Sequence, residues 1–397
     1  MAQRIGLLTL PLHINYGGIL QAVALYRHLS NSGKEVVLLN RTPFVRHSYT
    51  RSMARAAARY LPGLLHLDLM LQSNQVPYDP SNPAPVTLGR RLSNFVKAAA
   101  HNKRIASHQS FIRRFMPSVA GPLESSEALA DAVRQFQLDS LIVGSDQVWR
   151  VDYMPDAAAQ DFFLGFAPSA PLRRISYAAS FGHSEWKYPA LKHTVADLLS
   201  RFDAVSVRES SGVDICRNTF GRLDVCQVLD PTLLIDPAFY DEVAAPAMRK
   251  SGPVLLEYVL DPSPLREHVR AAVTARLDDK HEVRSLTVET GVLMPLDVPG
   301  WVRAFMDADF VVTDSFHGMV FSIIFRKNFV ALVNRDRGAD RFTSLLERIG
   351  LSHRLVMDGS AERARELAGE PIDFAPVHAK IAELRAESEE FLRKALS

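Results

Sequence analysis

An α/β fold with two Rossmann-like halves and a cleft between them is predicted by three features of the sequence. Short apolar runs of β type alternate with stretches of helical periodicity, a pattern typical of parallel sheets covered by helices. The chain has 397 residues, a length that favours two domains. It opens with a strand, a glycine-containing loop, a helix and a second strand, which is the order of a βαβ unit.

The N-terminal domain is predicted to span residues 1–245. Its first unit has a predicted strand at Arg4–Leu10, a loop at Pro11–Gly18, a helix at Ile19–Ser30 and a strand at Glu35–Asn40. Further apolar runs with strand character lie at Ser140–Val143, Arg174–Ala178, Ala204–Val207 and Asp224–Val228. Because open parallel sheets bind ligands beyond the carboxyl ends of their strands, functional side chains are expected in the loops after these runs.

The C-terminal domain is predicted over residues 246–375, after a junction marked by Pro231 and Pro237. Its predicted strands are Val254–Tyr258, Glu282–Leu286, Phe310–Thr313, Phe329–Val333 and Arg354–Val356. The charged stretch Val377–Leu396 predicts a helix, so residues 376–397 could pack back on the N-terminal domain.

Residues 44–115 interrupt the alternation of strands and helices. They are rich in arginine and alanine, and they predict helices joined by an irregular loop. The segment Leu61–Leu71 is amphipathic, which would suit docking on a membrane or on a lipid-linked acceptor. A helical insertion that packs on the sheet and exposes a basic face is the favoured interpretation.

Composition excludes several classes of protein. The chain has 46 basic and 44 acidic side chains, and this balance argues against a nucleic-acid binder. Its N-terminus lacks the pattern of a signal peptide, and no apolar run reaches the length of a membrane span. We therefore expect a cytoplasmic protein whose membrane contact, at the inner face, would be peripheral.

Cys216 and Cys226 are expected to be reduced structural thiols, and no metal site is predicted.

The segment Val311–Val320 carries the strongest functional signal. A buried strand is predicted to end there, Asp314 or Ser315 can cap the following helix, and Gly318 begins its apolar stretch. His317 therefore falls in the first helical turn, where free N–H groups and the helix dipole favour an anion. A histidine at this place can donate to a phosphate or shuttle a proton, or it can simply pack within the turn.

Arginines follow two other predicted strands. The guanidinium of Arg208 could hold a carboxylate or phosphate through two parallel hydrogen bonds, or it could pair structurally with Glu209. A later loop carries Arg335, Arg337 and Arg341, which could neutralise a ligand with several negative charges or be solvated.

Two further loops offer neutral and acidic hydrogen-bonding groups, and a third contains glycines. The loop after Val143 carries Ser145, Asp146 and Gln147, and Ser180 and His183 follow the next strand. Either loop could bind a ligand or be a tightly packed turn. The segment 13–18 resembles a phosphate-binding loop only weakly, because it is not GxGxxG, and contact with an acceptor is the better functional hypothesis.

Taken in order, these motifs resemble the polysaccharide pyruvyl transferase family. They are LPLHINYGGILQAVAL, VGSDQVWR, ISYAASFG, SVRESSG, VLDPTLL, TDSFHGMVFSIIF and NRDRGADRF, and the resemblance spans about residues 4–350. It implies a GT-B-like fold, phosphoenolpyruvate as donor and, as acceptor, a sugar of a cell-surface glycan or its lipid-linked precursor. It implies no metal or redox cofactor. The reaction would form a ketal and release phosphate.

The resemblance also assigns roles to residues. His317 matches the motif histidine and Arg208 the motif arginine, and Lys327 competes with the arginines of the last loop. The donor would be held by Arg208, Ser315, His317, Gly318, Arg337, Arg341 or Lys327. The acceptor would be contacted by His13, Asn15, Tyr16, Gly17, Ser145, Gln147, Ser180 and His183. Proton transfers would be carried out by His317 and by Asp146 or Asp314.

Two other functions suit the same architecture. A nucleotide-sugar glycosyltransferase would share the fold and could also use a helix-start histidine for a diphosphate, although no acidic residue is clearly placed for a ribose. A non-catalytic glycan-binding module would bind acceptor without turnover. The presence of both His317 and Arg208 favours the transferase.

Overall fold

The computed structural model describes residues 2–12, 15–42, 103–154, 156–167, 172–249, 251–261, 264–277, 281–286, 296–333, 339–357 and 360–397. Most of the segment expected to be a helical insertion, including Leu61–Leu71, lies outside the described residues. The same holds for His13, Arg335 and Arg337.

The N-terminal sheet has seven parallel strands in the order β3-β2-β1-β4-β5-β6-β7. Strand order reverses direction between β1 and β4, as in doubly wound sheets. The strands are β1 Arg4–Leu8, β2 Glu35–Arg41, β3 Val119–Leu123, β4 Ser140–Val143, β5 Arg173–Ala179, β6 Ala204–Val207 and β7 Val225–Gln227. The C-terminal sheet is β12-β11-β10-β8-β9, also parallel throughout. Its strands are β8 Val254–Tyr258, β9 Glu282–Ser285, β10 Phe310–Thr313, β11 Asn328–Leu332 and β12 Leu355–Val356.

Helices cover both sheets and follow most of the strands. Residues 103–115 are helical and are called α2. The others are α1 Tyr16–Asn31, α3 Ser126–Gln135, α4 Asp156–Ala159, α5 Lys192–Ser200, α6 Ser210–Asp214, α7 Pro231–Leu234, α8 Ala238–Ala244, α9 Pro264–Leu277, α10 Val298–Asp307, α11 Phe316–Ile324, α12 Asp340–Arg348, α13 Ala361–Ala368 and α14 Phe374–Leu396. The predicted α/β architecture with two Rossmann-like domains is confirmed.

The first helix begins earlier than its sequence predicts. Asn15 caps α1 by accepting a hydrogen bond from the backbone N–H of Gly18 at 3.2 Å, so the helix begins at Tyr16 rather than at Ile19. Gly17 consequently lies in the first turn of α1 instead of in a loop. This shift matters because the first turn points at the other domain.

One hydrophobic core extends through both domains. Leu25 of α1, Trp301 of α10, Phe321 of α11 and Leu384 of α14 belong to the same cluster of buried side chains. Tyr16 crosses the junction as well, because its ring stacks on Trp301 with centroids 5.5 Å apart and its hydroxyl donates to a carbonyl of the C-terminal domain. Apolar packing therefore fixes how the two domains face each other.

Helix α14 returns to the N-terminal domain. The hydroxyl of Ser388 accepts a hydrogen bond from the backbone N–H of Leu229 at 3.0 Å, and the Arg385 guanidinium donates to the carbonyl of Leu233 at 2.9 Å. Arg173 of β5 reaches the carbonyl of Ser397 at 2.8 Å. The helix thereby holds the segment between β7 and α8 in place.

Candidate functional site: a buried charged cluster between the domains

Loops after β4, β6 and β7 of the N-terminal domain meet the loop after β10 of the C-terminal domain. They bring together Asp146, Arg208, Asp230 and His317, none of them more than 6% exposed. Burying this many ionisable groups is costly unless they pair, and in this cluster they do. We call these four side chains, with Glu209, the junction cluster.

Arg208 is the central cation of the junction cluster. Its Nη1 atom donates to Oδ2 of Asp230 at 2.8 Å, and Nη2 donates to Oδ1 of Asp146 at 3.4 Å. Its Nε atom lies 3.8 Å from a carboxylate oxygen of Glu209, and its guanidinium stacks over the ring of Phe316 at 4.5 Å. Arg208 is therefore fixed by carboxylates of its own domain and by an aromatic ring of the other domain.

Asp230 connects the two domains. Its Oδ2 atom, which accepts from Arg208, lies 3.7 Å from Nε2 of His317. Burial alone would raise the pKa of the Asp230 carboxyl, but the interaction with His317 and the charge of Arg208 hold that pKa well below its ordinary value. The carboxylate is consequently ionised, and its Oδ2 atom faces the imidazole of His317.

A network of neutral groups supports the loop after β4. The Ser145 hydroxyl lies 3.0 Å from the carbonyl of Ala178 and 3.3 Å from Oδ2 of Asp230, and its single proton can be donated to either acceptor. Gln21 of α1 accepts the backbone N–H of Ser145 at 3.0 Å and donates to the Thr9 hydroxyl at 3.0 Å. The Ser145 backbone is therefore tied to the first βαβ unit, which leaves the neighbouring Asp146 a defined position.

Glu209 is the third carboxyl group of the junction cluster and is 1% exposed. Burial raises the pKa of the Glu209 carboxyl above its ordinary value, against the lowering effect of the charges of Arg208 and Arg341. Arg341 begins α12 together with Asp340, and its guanidinium lies 5.9 Å from the centroid of the Phe316 ring. Arg341 thus approaches the junction cluster from the C-terminal domain.

His317 lies where two helix N-termini meet. Ser315 caps α11 by accepting the backbone N–H of Gly318 at 3.3 Å, and His317 is in the first turn. On the other side of the imidazole is Gly17, where an added Cβ would overlap the Nδ1 atom of His317. The positive ends of α1 and α11 therefore both lie close to this imidazole, an arrangement that favours an anion.

The remaining acceptor candidates lie in the loops after β4 and β5. We call Gln147, Ser180 and His183 the polar rim of the junction cluster. The Gln147 side chain accepts a hydrogen bond from Arg150 at 3.1 Å. Ser180 is buried, and its backbone N–H donates to the carbonyl of Asp146 at 3.0 Å. His183 lies 3.8 Å from Asp152. Burial and the charge of Arg150 lower the pKa of the His183 imidazole, so it is neutral near pH 7.

Two candidates are not brought to the junction cluster. Asp314 accepts the backbone N–H groups of Leu260 and Asp261 at 2.7 and 3.0 Å and pairs with Arg266 at 2.6 Å, which are the contacts of a structural carboxylate. Lys327 precedes β11 at the end of the sheet opposite to His317.

Two acceptor candidates at the start of α1 have structural contacts. Asn15 caps the helix, and the ring of Tyr16 stacks on Trp301.

Three residues of this region were not predicted from the sequence. Asp230 precedes a proline and reads as a helix cap, which it also is, since it accepts the backbone N–H of Thr232 at 3.0 Å. Glu209 was considered only as a structural partner of Arg208. Gln21 gave one signal, because a lone polar side chain within the apolar stretch of α1 needs a buried partner.

In the part of the chain that the structure describes, no helix is long and apolar enough to cross a membrane. Nor do the described His, Cys, Asp and Glu side chains form a group of three or more that could hold a metal ion.

The fold and the junction cluster define a two-domain, GT-B-like α/β protein whose charged site lies between its Rossmann-like domains. A family model described as polysaccharide pyruvyl transferase matches residues 15–337, and the chain belongs to this family. The match includes the whole junction cluster and ends before Arg341. No curated protein matches the chain.

Solved structures resemble the chain over nearly its whole length at low identity. UDP-GlcNAc 2-epimerase from Neisseria meningitidis, bound to UDP-GlcNAc, is 9% identical with a TM-score of 0.49, covering 99% of this chain and 100% of that one. UDP-N-acetylglucosamine 2-epimerase from Rickettsia bellii is 8% identical with a TM-score of 0.49, covering 100% and 96%. The glycotransferase of kitacinnamycin is 16% identical with a TM-score of 0.41, covering 99% and 97%. These likenesses carry no statement about activity.

Proposed function

We propose that the protein transfers pyruvate from phosphoenolpyruvate onto a sugar of a cell-surface polysaccharide, or of its lipid-linked precursor, as a ketal, and releases phosphate. Membership of the pyruvyl transferase family supports the class of reaction. The observation that carries the proposal is the position of His317, which lies between two helix N-termini and beside the paired Arg208 and Asp230. This place suits an anionic donor and a proton transfer.

The chemistry needs one proton donor and one base. A proton adds to the methylene carbon of phosphoenolpyruvate, the π electrons form the new C–H bond, and positive charge develops at C2. One acceptor hydroxyl attacks C2, a second hydroxyl replaces the phosphate, and the C2–O bond to phosphate breaks. Of the two hydroxyl protons lost, one balances the proton gained by carbon and the other leaves with hydrogen phosphate.

The donor would be held by the positive ends of α1 and α11, with His317 at its phosphate. Arg341 would bind the remaining anionic group, because it approaches the junction cluster from the C-terminal domain. Arg208 already donates to two carboxylates. To contact the donor it would have to give up one of these hydrogen bonds, and the 3.4 Å hydrogen bond to Asp146 is the longer of the two. Arg337 belongs to the same loop as Arg341 and stays a candidate from the sequence.

Asp146 is the better candidate for the general base. It pairs with Arg208 at a long distance of 3.4 Å, whereas the Asp314 carboxylate is engaged by Arg266 and by backbone N–H groups. Asp146 also adjoins the polar rim of Gln147, Ser180 and His183, where the acceptor would enter. A lipid-linked acceptor would place the enzyme at the inner face of the cell membrane.

The test is release of inorganic phosphate from phosphoenolpyruvate, with and without β-galactoside and N-acetylmannosamine acceptors. We expect acceptor-dependent release that falls by about 10²–10⁴-fold in His317→Ala. The variant Asp236→Asn is the control, because Asp236 is exposed and its carboxylate accepts the backbone N–H of Ala238 at the start of α8. Absence of release with every acceptor, together with thermal stabilisation by a nucleoside diphosphate, would instead indicate a glycosyltransferase. Near-native turnover by His317→Ala would reject the role of the histidine.

A further inference from the structure

Asp230 divides its two carboxylate oxygens between its own helix and the other domain. Oδ1 accepts the backbone N–H of Thr232 at 3.0 Å and the Thr232 hydroxyl at 2.7 Å. Oδ2 accepts from Arg208 at 2.8 Å and lies 3.3 Å from the Ser145 hydroxyl. With both oxygens engaged, this carboxylate has a fixed plane, and Oδ2 is the oxygen that faces His317.

The imidazole of His317 is held in one orientation as well. Its Nε2 atom is buried and lies 3.7 Å from Oδ2 of Asp230. Its Nδ1 atom lies on the side of Gly17, where no Cβ could be accommodated. The two nitrogens therefore have different neighbours: Nε2 lies beside the Asp230 carboxylate, and Nδ1 belongs to the ring edge over which Gly17 packs, next to the N-terminus of α1.

A carboxylate beside one ring nitrogen decides which tautomer a histidine adopts. An ionised carboxylate can only accept, so the nitrogen facing it carries the proton, and the other nitrogen is left to exchange protons with a ligand. A separation of 3.7 Å is longer than a hydrogen bond, but such contacts are often long before substrate binds and shorten in the complex.

We propose that Asp230 is a positioning residue for His317: it keeps a proton on Nε2, so that Nδ1 is the nitrogen that acts on the donor. This inference rests on the proposed function and adds the residue that orients its proton donor. In the reaction, the Nδ1–H bond of the imidazolium breaks as the methylene carbon of the donor gains the proton. The ring is left neutral, with its remaining proton on Nε2 facing Asp230.

The groups around this pair do not compete for the same role. Arg208 is a permanent cation, and Tyr177 and Tyr240, which burial keeps neutral by raising the pKa of each phenol, do not titrate near pH 7. The acidic neighbours are Asp146 and Glu209, which contact Arg208 rather than His317. A change of tautomer in an Asp230 variant would therefore report the Asp230–His317 contact.

The decisive variant is Asp230→Asn, which keeps the shape of the side chain and removes its charge. The tautomer can be read from ¹⁵N NMR of histidine-labelled protein without any donor, with His317→Gln identifying the signal among the 13 histidines. We expect a neutral Nε2–H tautomer in the wild type and a shift toward Nδ1–H in Asp230→Asn. Asp236→Asn, which also alters an aspartate that accepts a backbone N–H at the start of a helix, should keep the wild-type tautomer.

Turnover gives the second measurement. Asp230→Asn should lower kcat by about 10²–10⁴-fold, with a smaller change in KM for phosphoenolpyruvate. The alkaline limb of the pH profile should move to lower pH, because loss of the carboxylate disfavours the imidazolium. If Asp230→Asn does not fold, Thr232→Val, which removes one hydrogen bond to Oδ1 but retains the charge, should show a smaller change in the same direction.

The possible results separate the two proposals. An unchanged tautomer and pH profile in a folded Asp230→Asn, with only reduced stability, would overturn the positioning role. A changed tautomer in a protein that releases no phosphate from phosphoenolpyruvate with any acceptor would support the Asp230–His317 pairing and reject the proposed donor.

Discussion

Gly17 of the N-terminal domain packs so closely against His317 of the C-terminal domain that a methyl group on Gly17 would overlap the imidazole. Because each residue lies in the first turn of its helix, the contact also sets the separation of α1 and α11 at their positive ends. Any side chain at Gly17 must therefore push the domains apart or turn the imidazole.

Gly17→Ala tests this contact. Alanine favours a helix over glycine by up to about 1 kcal/mol, so the isolated helix gains, but the overlap with His317 displaces the ring. We expect kcat/KM for phosphoenolpyruvate to fall by about 100-fold. In Gly18→Ala the new Cβ would lie 3.2 Å from the amide of Asn15, a much milder contact than the overlap between a Cβ at Gly17 and Nδ1 of His317, so the loss should be much smaller. Equal losses in both variants would contradict a specific role of the His317 contact.

The two basic candidates of the C-terminal domain should differ in their effects. Replacing Arg341 by methionine should lower kcat/KM for phosphoenolpyruvate by about 10–100-fold, the effect of losing a hydrogen bond from a charged group. Lys327→Met should leave kcat/KM unchanged, since Lys327 lies at the opposite end of β10 and β11. Steady-state kinetics of both variants decides the matter, and a larger effect of Lys327→Met would reverse the assignment.

Glu209 should make a contribution to stability that depends on pH with the opposite sign to that of Asp230. The pKa of Glu209 is raised on folding, so its contribution is fully present below the unfolded pKa, about 4.3, and is lost as pH rises through the folded pKa. The free energy of unfolding of Glu209→Gln should therefore improve relative to wild type between pH 4 and pH 7 in urea denaturation. A difference that is constant over this range would show that Glu209 does not titrate there.

Asp230 provides the comparison, because its pKa is lowered on folding. Its contribution is present above the unfolded pKa of about 3.9 and is lost only as pH falls below that value. The stabilisation of wild type relative to Asp230→Asn should therefore decrease as pH falls below about 4, which the same denaturation series, extended to acid pH, measures.

Ser388→Ala tests the return of α14 to the N-terminal domain. The backbone N–H of Leu229 would lose its acceptor in a buried place, which should lower the free energy of unfolding by about 1–3 kcal/mol. Ser397→Ala removes an exposed hydroxyl that donates within the last turn, and its effect should be within about 0.5 kcal/mol. Similar unfolding midpoints for the two variants would mean that the Leu229 contact contributes nothing.

The sequence predicts the buried strands well, because strands covered on both faces are continuous apolar runs. Ser140–Val143, Ala204–Val207, Val254–Tyr258 and Phe310–Thr313 were predicted to the residue. The strand Val119–Leu123 was missed, because its Gly121 and Pro122 are typical of turns. The start of α1 was placed too late because Gly17 and Gly18 are poor helix formers, and their helical conformation depends on the Asn15 cap and on packing with the other domain.

Site residues could be predicted where local sequence marks them, and were missed where their role depends on partners that are distant along the chain. His317, Arg208 and Asp146 follow strands directly, so local sequence was enough to identify them as candidates. Asp230 was missed because its sequence explains it fully as a helix cap, while Ser145 and Arg208 lie 85 and 22 residues away along the chain. Gln21 acts on Ser145 from 124 residues away. Such partners come together only once the N-terminal sheet is assembled.

The contacts of α14 with the N-terminal domain affect the order in which the two domains fold during synthesis. Leu229 precedes its hydrogen-bond partner Ser388 by 159 residues, and Leu233 precedes Arg385 by 152. A nascent chain therefore carries the Asp230 segment for most of the translation of the C-terminal domain before the segment gains its final partners. Because domains emerging from the ribosome tend to fold in sequence, the first domain would fold early, while the segment that carries Asp230 would gain its last contacts only as α14 leaves the exit tunnel.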